Sequence, residues 1–180
     1  MRLAPMLNEK GKLIGDFTLT RMDEEDFLLI GSGVAEEYHL RWFSEYLDPE
    51  LDVHVIPQSS TMLGLAVAGP KSRELMQKVS PYDFSNDYFR FMEMKQVSVG
   101  LVECLVGRVS YTGDLGYEIW MEAENQRSVF QTLMQEGESL GIGLFGLRAL
   151  NSLRLEKNFG SWAREFRPIY GPVEAGLNPF

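Results

Sequence analysis

Alternation of apolar and polar residues predicts strands in the first part of the chain. Residues 8–11 (NEKG) have the composition of a tight turn, and over residues 13–21 apolar positions alternate with glycine and threonine. A period of two is typical of a strand with one buried face. The apolar run at residues 27–30, which ends at Gly31-Ser32-Gly33, predicts a further, buried strand.

Apolar residues spaced by about four predict helices elsewhere. Val34, Tyr38, Trp42 and Tyr46 recur at steps of four and predict an apolar helix face within residues 34–47. Similar periodicity predicts helices over residues 71–79, 125–140 and 144–157. Asn125 is expected to cap the helix over residues 125–140, and Ser32 to cap the helix within residues 34–47.

The order of the predicted elements favours an α+β fold. Further strands are expected at residues 53–55, 63–68, 97–109 and 117–121, and residues 81–92 are expected to form a surface connection. Consecutive strands without a crossover helix favour an antiparallel sheet with helices on one face over a doubly wound parallel sheet. We expect residues 1–180 to form one domain that is truncated at both ends, because residues 1–11 lead directly into a turn and residues 176–180 end in mid-pattern.

Charge and composition exclude several classes of function. The 180 residues contain 17 Lys and Arg against 26 Asp and Glu, a net charge of −9, which argues against binding to nucleic acid or to an anionic membrane surface. No apolar run is long enough to span a membrane. The single cysteine, Cys104, excludes an intrachain disulfide, and with only two histidines no metal site is expected. His39 and His54 are expected at surface or half-buried positions.

Two carboxylates are the candidate chemical groups. Asp16 follows Gly15 inside a predicted strand, where aspartate is disfavoured and where glycine allows another group to approach the backbone. Asp16 is therefore either a carboxylate directed at an amine-bearing ligand or a solubilising charge on an edge strand.

The second carboxylate is Glu118, in the segment 111–119. Tyr111 and the glycines around Gly113 allow a sharp bend and a close approach to a flat ligand, and Glu118 faces away from its apolar neighbours on the strand. It could accept paired hydrogen bonds from a heterocycle, or it could be an exposed glutamate of a hairpin. Of the late arginines, Arg148 and Arg154, either could bind a ligand carboxylate or form a structural ion pair such as one with Glu156.

Several segments, in the same order, resemble the folate-binding family of the glycine cleavage T-protein, an aminomethyltransferase. They are residues 6–19 (MLNEKGKLIGDFTL), 111–118 (YTGDLGYE), 153–156 (LRLE) and 172–177 (PVEAGL). In three segments the sequence resembles the folate half of dimethylglycine and sarcosine dehydrogenases more closely than the T-protein. They are residues 27–33 (FLLIGSG), 40–42 (LRW) and 149–157 (ALNSLRLEK). The resemblance spans nearly the whole chain.

This resemblance implies a tetrahydrofolate site and transfer of a one-carbon unit, as aminomethyl or iminium, to give 5,10-methylenetetrahydrofolate. Asp16 matches the catalytic aspartate of the family, and Glu118 matches the glutamate that binds the pterin edge, with Tyr111 and Gly113 shaping the pocket. The implied partners are tetrahydrofolate and a small methylated amine or aminomethyl donor, and a homo-oligomer is compatible with the family. FAD would belong only to an N-terminal domain outside this chain. The implied location is cytoplasmic, or the mitochondrial matrix in a eukaryote.

Two departures from the T-protein pattern leave other functions open. Ser32 stands where the T-protein has an asparagine, and Leu150 stands where it has an arginine, with Arg148 two residues earlier as a candidate substitute. Both changes favour the dehydrogenase-like branch. The alternatives are a non-catalytic regulatory module with the same fold and a folate-dependent demethylase of the same family.

Overall fold

The computed structural model describes residues 1–162 and 164–177 and divides the chain into two compact units. The first comprises Met1–Pro57 and Gly160–Phe180, and the second comprises Gln58–Phe159. Asn178 to Phe180, part of the stretch expected to end in mid-pattern, lie outside the described residues.

The first unit is built on a three-stranded antiparallel sheet, in the order β1-β2-β3. Its strands are β1 (Arg2–Leu7), β2 (Leu13–Arg21) and β3 (Phe27–Ile30). The predicted turn between β1 and β2 is confirmed, because the side-chain oxygen of Asn8 accepts hydrogen bonds from the backbone N–H groups of Lys10 (3.0 Å) and Lys12 (2.9 Å). The middle strand, β2, is mostly buried.

Helix α1 (Glu36–Tyr46) follows the sheet and packs on β2 through an unexpected face. Phe17 of β2 contacts His39 and Phe43, with ring centroids 4.8 and 6.1 Å apart. Val34, expected on the apolar face, is 90% exposed, whereas Ala35 and His39 are buried. The buried stripe is therefore displaced by one residue from the predicted one.

The last segment of the chain also belongs to the first unit. The backbone N–H of Leu13 donates to the carbonyl of Tyr170 (2.9 Å), and the Leu13 side chain packs with Phe166 and Leu177. This segment therefore covers the start of β2, three residues before Asp16.

The second unit contains a four-stranded antiparallel sheet, in the order β4-β7-β6-β5. Its elements are β4 (Met62–Ala68), α2 (Ser72–Val79), β5 (Met94–Val99), β6 (Val102–Gly107), β7 (Gly116–Glu122), α3 (Gln126–Gly137) and α4 (Leu147–Glu156). Alternate residues of β7, such as Tyr117 and Ile119, point into a core shared with α2 and α3. The α+β class with antiparallel strands and helices on one face is thus confirmed.

Several local predictions are wrong. Residues 53–55 form no strand, and residues 97–109 form the hairpin of β5 and β6. Residues 81–92 are not a mere surface connection, because Phe84 and Phe89 are fully buried against Tyr117, with centroids 5.4 and 5.9 Å from its ring. Asn125 makes no side-chain capping bond, since a 3₁₀ turn (Ala123–Asn125) precedes α3.

Within the described residues, no helix combines the length and the apolar character needed to cross a membrane. In the same part of the chain, no group of three or more His, Cys, Asp or Glu side chains is arranged to hold a metal ion.

Candidate functional site

Asp16 lies on the middle strand of the first sheet, opposite Pro5 of β1. The alternative of an edge-strand charge is therefore wrong. The side chain is half-buried, and burial raises the pKa of its carboxyl above the usual 3.8, although the nearby His39 and the backbone N–H of Asp16 lower it in part. A carboxylate in this environment is poorly hydrated, so a cationic group placed beside it would be attracted more strongly than in water.

Gly15 allows His39 to lie directly against the strand that carries Asp16. Nε2 of His39 is 2.7 Å from the carbonyl oxygen of Ile14, so this nitrogen is the donor. A Cβ atom at Gly15 would lie 2.5 Å from the same Nε2. The expectation that glycine admits a close approach here is confirmed, and the approaching group is a histidine that is only 3% exposed rather than at the surface or half-buried.

Ser32 follows β3 by two residues in the first unit. The last residue pair between β2 and β3 is Thr18 with Ile30, so the chain leaves β3 toward the part of β2 that carries Asp16. The Ser32 side chain makes no capping hydrogen bond to the turn that follows, so the predicted N-cap is wrong. Its hydroxyl is half-buried and is not committed to holding the helix.

Glu118 lies on β7, the strand flanked by β4 and β6, with Ala66 on one side and Gly107 on the other. It is half-buried, so the alternative of an exposed hairpin glutamate is wrong. Burial raises the pKa of its carboxyl above the usual 4.5, and the indole N–H of Trp120 partly offsets this increase. Both cross-strand neighbours are small, so neither has a long side chain beside the Glu118 carboxylate.

The turn before β7 is ordered by its own side chains. The hydroxyls of Ser110 and Thr112 are 2.7 Å apart, and the Thr112 hydroxyl accepts from the backbone N–H of Asp114 (3.3 Å). Gly113 has φ +74°, and a Cβ atom there would collide with the side chain of Lys157. Tyr111 stacks on Phe159, with ring centroids 6.4 Å apart and planes inclined by 10°.

The two arginines of α4 have different environments. Arg148 is exposed and makes no hydrogen bond or ion pair with the described residues. Arg154 is only 1% exposed, and its guanidinium donates to the side chain of Asn151 (3.1 Å) and to the carbonyl of Phe159 (2.7 Å). Arg154 therefore anchors the end of α4.

The predicted site residues are divided between the two units. Asp16 and Ser32 belong to the first, whereas Tyr111, Gly113, Glu118 and Arg148 belong to the second. An open cavity of about 560 Å³ in the first unit is lined by Arg164, Glu165, Arg167 and Tyr170, none of them a predicted site residue.

The sequence interpretation missed two residues at these positions. His39 was missed because the apolar spacing of α1 was assigned to the wrong face; the spacing Ala35-His39-Phe43 would have identified it. Trp120 was not among the predicted site residues, although it lies two residues after Glu118 and thus shares its face of β7.

The fold is that of an aminomethyltransferase. The chain superposes on the crystal structure of glycine cleavage system aminomethyltransferase T from Bartonella henselae with a TM-score of 0.84 at 23% identity, covering 98% of this chain and 46% of that one. It also matches the heterotetrameric sarcosine oxidase from Corynebacterium sp. U-96, with a TM-score of 0.61 at 16% identity, over 81% of this chain and 68% of that one. Both likenesses show the fold alone.

The family model of the GCVT N-terminal domain matches residues 1–180, and the chain belongs to this family. It is 35% identical to human mitochondrial dimethylglycine dehydrogenase over 179 residues, which are 99% of this chain and 21% of that protein. It is 28% identical to the aminomethyltransferase of Clostridium botulinum (strain Okra / Type B1) over 176 residues, which are 97% of this chain and 47% of that protein. The chain thus spans about a fifth of the one enzyme and about half of the other, and the expected resemblance is confirmed.

Proposed function

We propose that the chain binds tetrahydrofolate and promotes transfer of a one-carbon unit to it, as the aminomethyltransferase-type part of a dimethylglycine dehydrogenase-like or T-protein-like enzyme. The observation that carries the proposal is that each antiparallel sheet holds a half-buried carboxylate on an inner strand, with its pKa raised by burial. Burying a carboxylate opposes folding, and such groups concentrate at functional sites.

Glu118 is the proposed anchor of the pterin. The ring and amino N–H groups on one edge of a pterin form a parallel pair of donors, and a carboxylate accepts such a pair through its two oxygens. Ala66 and Gly107 beside Glu118 leave room for a flat ring to lie close to the sheet. The net charge of −9 does not oppose this contact, because the recognised edge carries donors.

Asp16 is the proposed catalytic group. Positive charge develops when a one-carbon unit passes from an amine to the folate nitrogens, and a fixed, poorly hydrated carboxylate stabilises such charge. His39 and Gly15 keep the Asp16 backbone in place, so the carboxylate need not be reoriented during the reaction. Ser32, which follows β3 by two residues, is a proposed polar contact of the ligand.

The wider setting of the reaction is also proposed rather than established. We propose a small methylated amine or aminomethyl donor, in keeping with the names dimethylglycine dehydrogenase and aminomethyltransferase carried by relatives. A flavin would belong to another part of such an enzyme, and Arg148 is a candidate for the carboxylates of the folate tail. A homo-oligomer and a location in the cytoplasm or, as the name of the human relative suggests, in mitochondria remain predictions.

Binding is tested by calorimetry with 5-formyltetrahydrofolate at pH 7. Glu118→Gln is expected to weaken binding by about 10- to 100-fold, because a hydrogen-bonded charge in a half-buried site is lost. Glu122→Gln is the matched control, since Glu122 ends the same strand on the same face but is exposed. Absence of binding by the unaltered chain, or equal losses in both variants, would contradict the proposal.

Transfer is tested by the rate at which the chain accelerates formation of 5,10-methylenetetrahydrofolate from tetrahydrofolate and formaldehyde, with release of water. Formaldehyde serves as a probe that needs no particular amine donor. Asp16→Asn is expected to lower the accelerated rate by about 100-fold while changing the affinity for folate less than about threefold, because its charge acts mainly on the transition state. The exposed Asp26, changed to Asn, is the control.

The outcomes separate the competing functions. Binding without any acceleration favours the non-catalytic module with the same fold. Equal losses of affinity and rate in Asp16→Asn would assign Asp16 to binding alone.

A further inference from the structure

A buried indole N–H beside Glu118 lacks a hydrogen bond. Trp120 follows Glu118 by two residues on β7, so both side chains lie on the same face of the sheet, away from the core. Nε1 of Trp120 is completely shielded from solvent and makes no hydrogen bond of ordinary geometry. Buried donors without partners are uncommon in folded proteins, and such a donor calls for a specific explanation.

Gly64 is what allows the indole to occupy this place. Gly64 of β4 pairs with Trp120, and a Cβ atom at Gly64 would lie 2.8, 2.9 and 3.0 Å from Cζ3, Cε3 and Cη2 of the ring. The six-membered ring therefore rests against the backbone of β4. Any larger residue at position 64 would displace the ring, so the orientation of the indole depends on this glycine.

We assign the Glu118 carboxylate as the acceptor for the indole, because the two side chains are two residues apart on the same face of β7, away from the core, and both residues are half-buried there. The other titratable groups on this face of the sheet are Glu122 at the end of β7 and Glu103 of β6, and Glu103 accepts a hydrogen bond from Ser98. The residues of β4 and β5 on this face of the sheet carry no charge; they are Met62, Gly64, Ala66, Ala68, Met94, Gln96 and Ser98.

We propose that Trp120 is a positioning residue, whose indole N–H holds one oxygen of the Glu118 carboxylate and thereby directs the carboxylate toward its ligand. Hydrogen bonds at such sites are often long in the free protein and tighten when the ligand is bound. Of these two claims, only the orientation of the carboxylate toward a ligand rests on the proposed folate site. The pairing of indole and carboxylate stands on the geometry of the second unit.

The pairing is tested first in the unaltered chain, by the NMR signals of its three indole N–H groups. The Trp120 signal, identified by its loss in Trp120→Phe, is expected to shift with pH at the midpoint at which the Glu118 carboxyl titrates. In Glu118→Gln this shift is expected to vanish. Trp42, whose ring stacks on Tyr46 in the other unit, is the internal control and should show no shift at that midpoint. A Trp120 signal that does not follow Glu118 would overturn the proposal.

Two variants extend the test. Trp120→Phe removes the donor, and Gly64→Ala retains it but displaces the ring; each is expected to raise the Glu118 midpoint by roughly half to one pH unit. The weakening of 5-formyltetrahydrofolate binding on acidification should then begin at correspondingly higher pH. An unchanged midpoint in a folded Trp120→Phe protein would also overturn the proposal. If the midpoints move but the unaltered chain binds no folate, the proposed function fails and the pairing stands.

Discussion

Replacing Gly15 by alanine tests the packing that holds Asp16. The new methyl group would lie 2.5 Å from Nε2 of His39, 3.0 Å from its Cε1 and 3.2 Å from Cε2 of Phe17. His39 is buried and its hydrogen bond to the Ile14 carbonyl is 2.7 Å long, so the ring cannot move away without breaking that bond.

The expected loss of stability follows from three contributions. Overpacking in a filled core costs about 1–3 kcal/mol. Leaving the imidazole N–H and the carbonyl without their hydrogen bond costs about 1–3 kcal/mol more. Alanine also lowers the conformational entropy of the unfolded chain, which stabilises the folded state by about 0.4–1 kcal/mol. Gly15→Ala is therefore expected to lower the free energy of unfolding by about 1–5.5 kcal/mol.

The assay is urea denaturation, with Gly33→Ala as control because a Cβ atom at Gly33 would meet no atom within 4 Å. The control is expected to leave stability unchanged or to raise it by up to about 1 kcal/mol, because only the entropy of the unfolded chain changes. In the His39→Ala background most of the cost of Gly15→Ala should disappear, giving a coupling energy of about 1 kcal/mol or more. Equal costs of the two glycine substitutions, or additivity of Gly15→Ala and His39→Ala, would refute the reasoning.

Three further predictions concern the second unit. Burial raises the pKa of the Glu118 carboxyl above 4.5 in the folded chain, so the stability of the chain falls as the pH rises from the pKa of the unfolded state through that of the folded state. Glu118→Gln is therefore expected to be more stable than the unaltered chain at pH 7. In thermal unfolding this difference should vanish below about pH 4. Gly113→Ala is expected to cost about 1–3 kcal/mol in urea denaturation, more than Gly141→Ala, because both have positive φ but only position 113 has Lys157 above it; Lys157→Ala should remove the difference. Phe84→Ala is expected to cost about 3–5 kcal/mol, whereas Phe91→Ala, at a residue 70% exposed, should cost less than about 0.5 kcal/mol.

Strands and helices with strong local patterns could be predicted from the sequence, whereas the sheet to which each strand belongs could not. The pattern of residues 13–21 and the turn composition of residues 8–11 are local signals, and the structure contains the strand and the turn, although burial along β2 does not alternate. The pairing of β7 with β4, in contrast, joins segments about fifty residues apart and has no local signal. Residues 81–92 were misjudged for a related reason, since the burial of Phe84 and Phe89 depends on Tyr117 in a distant strand.

The candidate site shows the same division. The unusual residue types, an aspartate after glycine and a glutamate in a strand, could be recognised in the sequence as departures from strand composition. Their partners could not, because His39 is 23 residues from Asp16 in the chain and the space that Gly64 provides for Trp120 depends on strand register. The capping role predicted for Ser32 from its position before a helix is not found, because its side chain makes no hydrogen bond to the turn that follows.

The placement of the two carboxylates is better explained by ligand chemistry than by folding. Neither Asp16 nor Glu118 forms one of the ion pairs found among the described residues, so no such pair would be lost if either carboxylate were neutral. Both are held where burial opposes ionisation. Residues selected for stability alone would not be ionisable at these positions, so stability and ligand binding are expected to oppose each other there. A structural role would produce the reverse relation, in which the neutral variants lose stability and binding together.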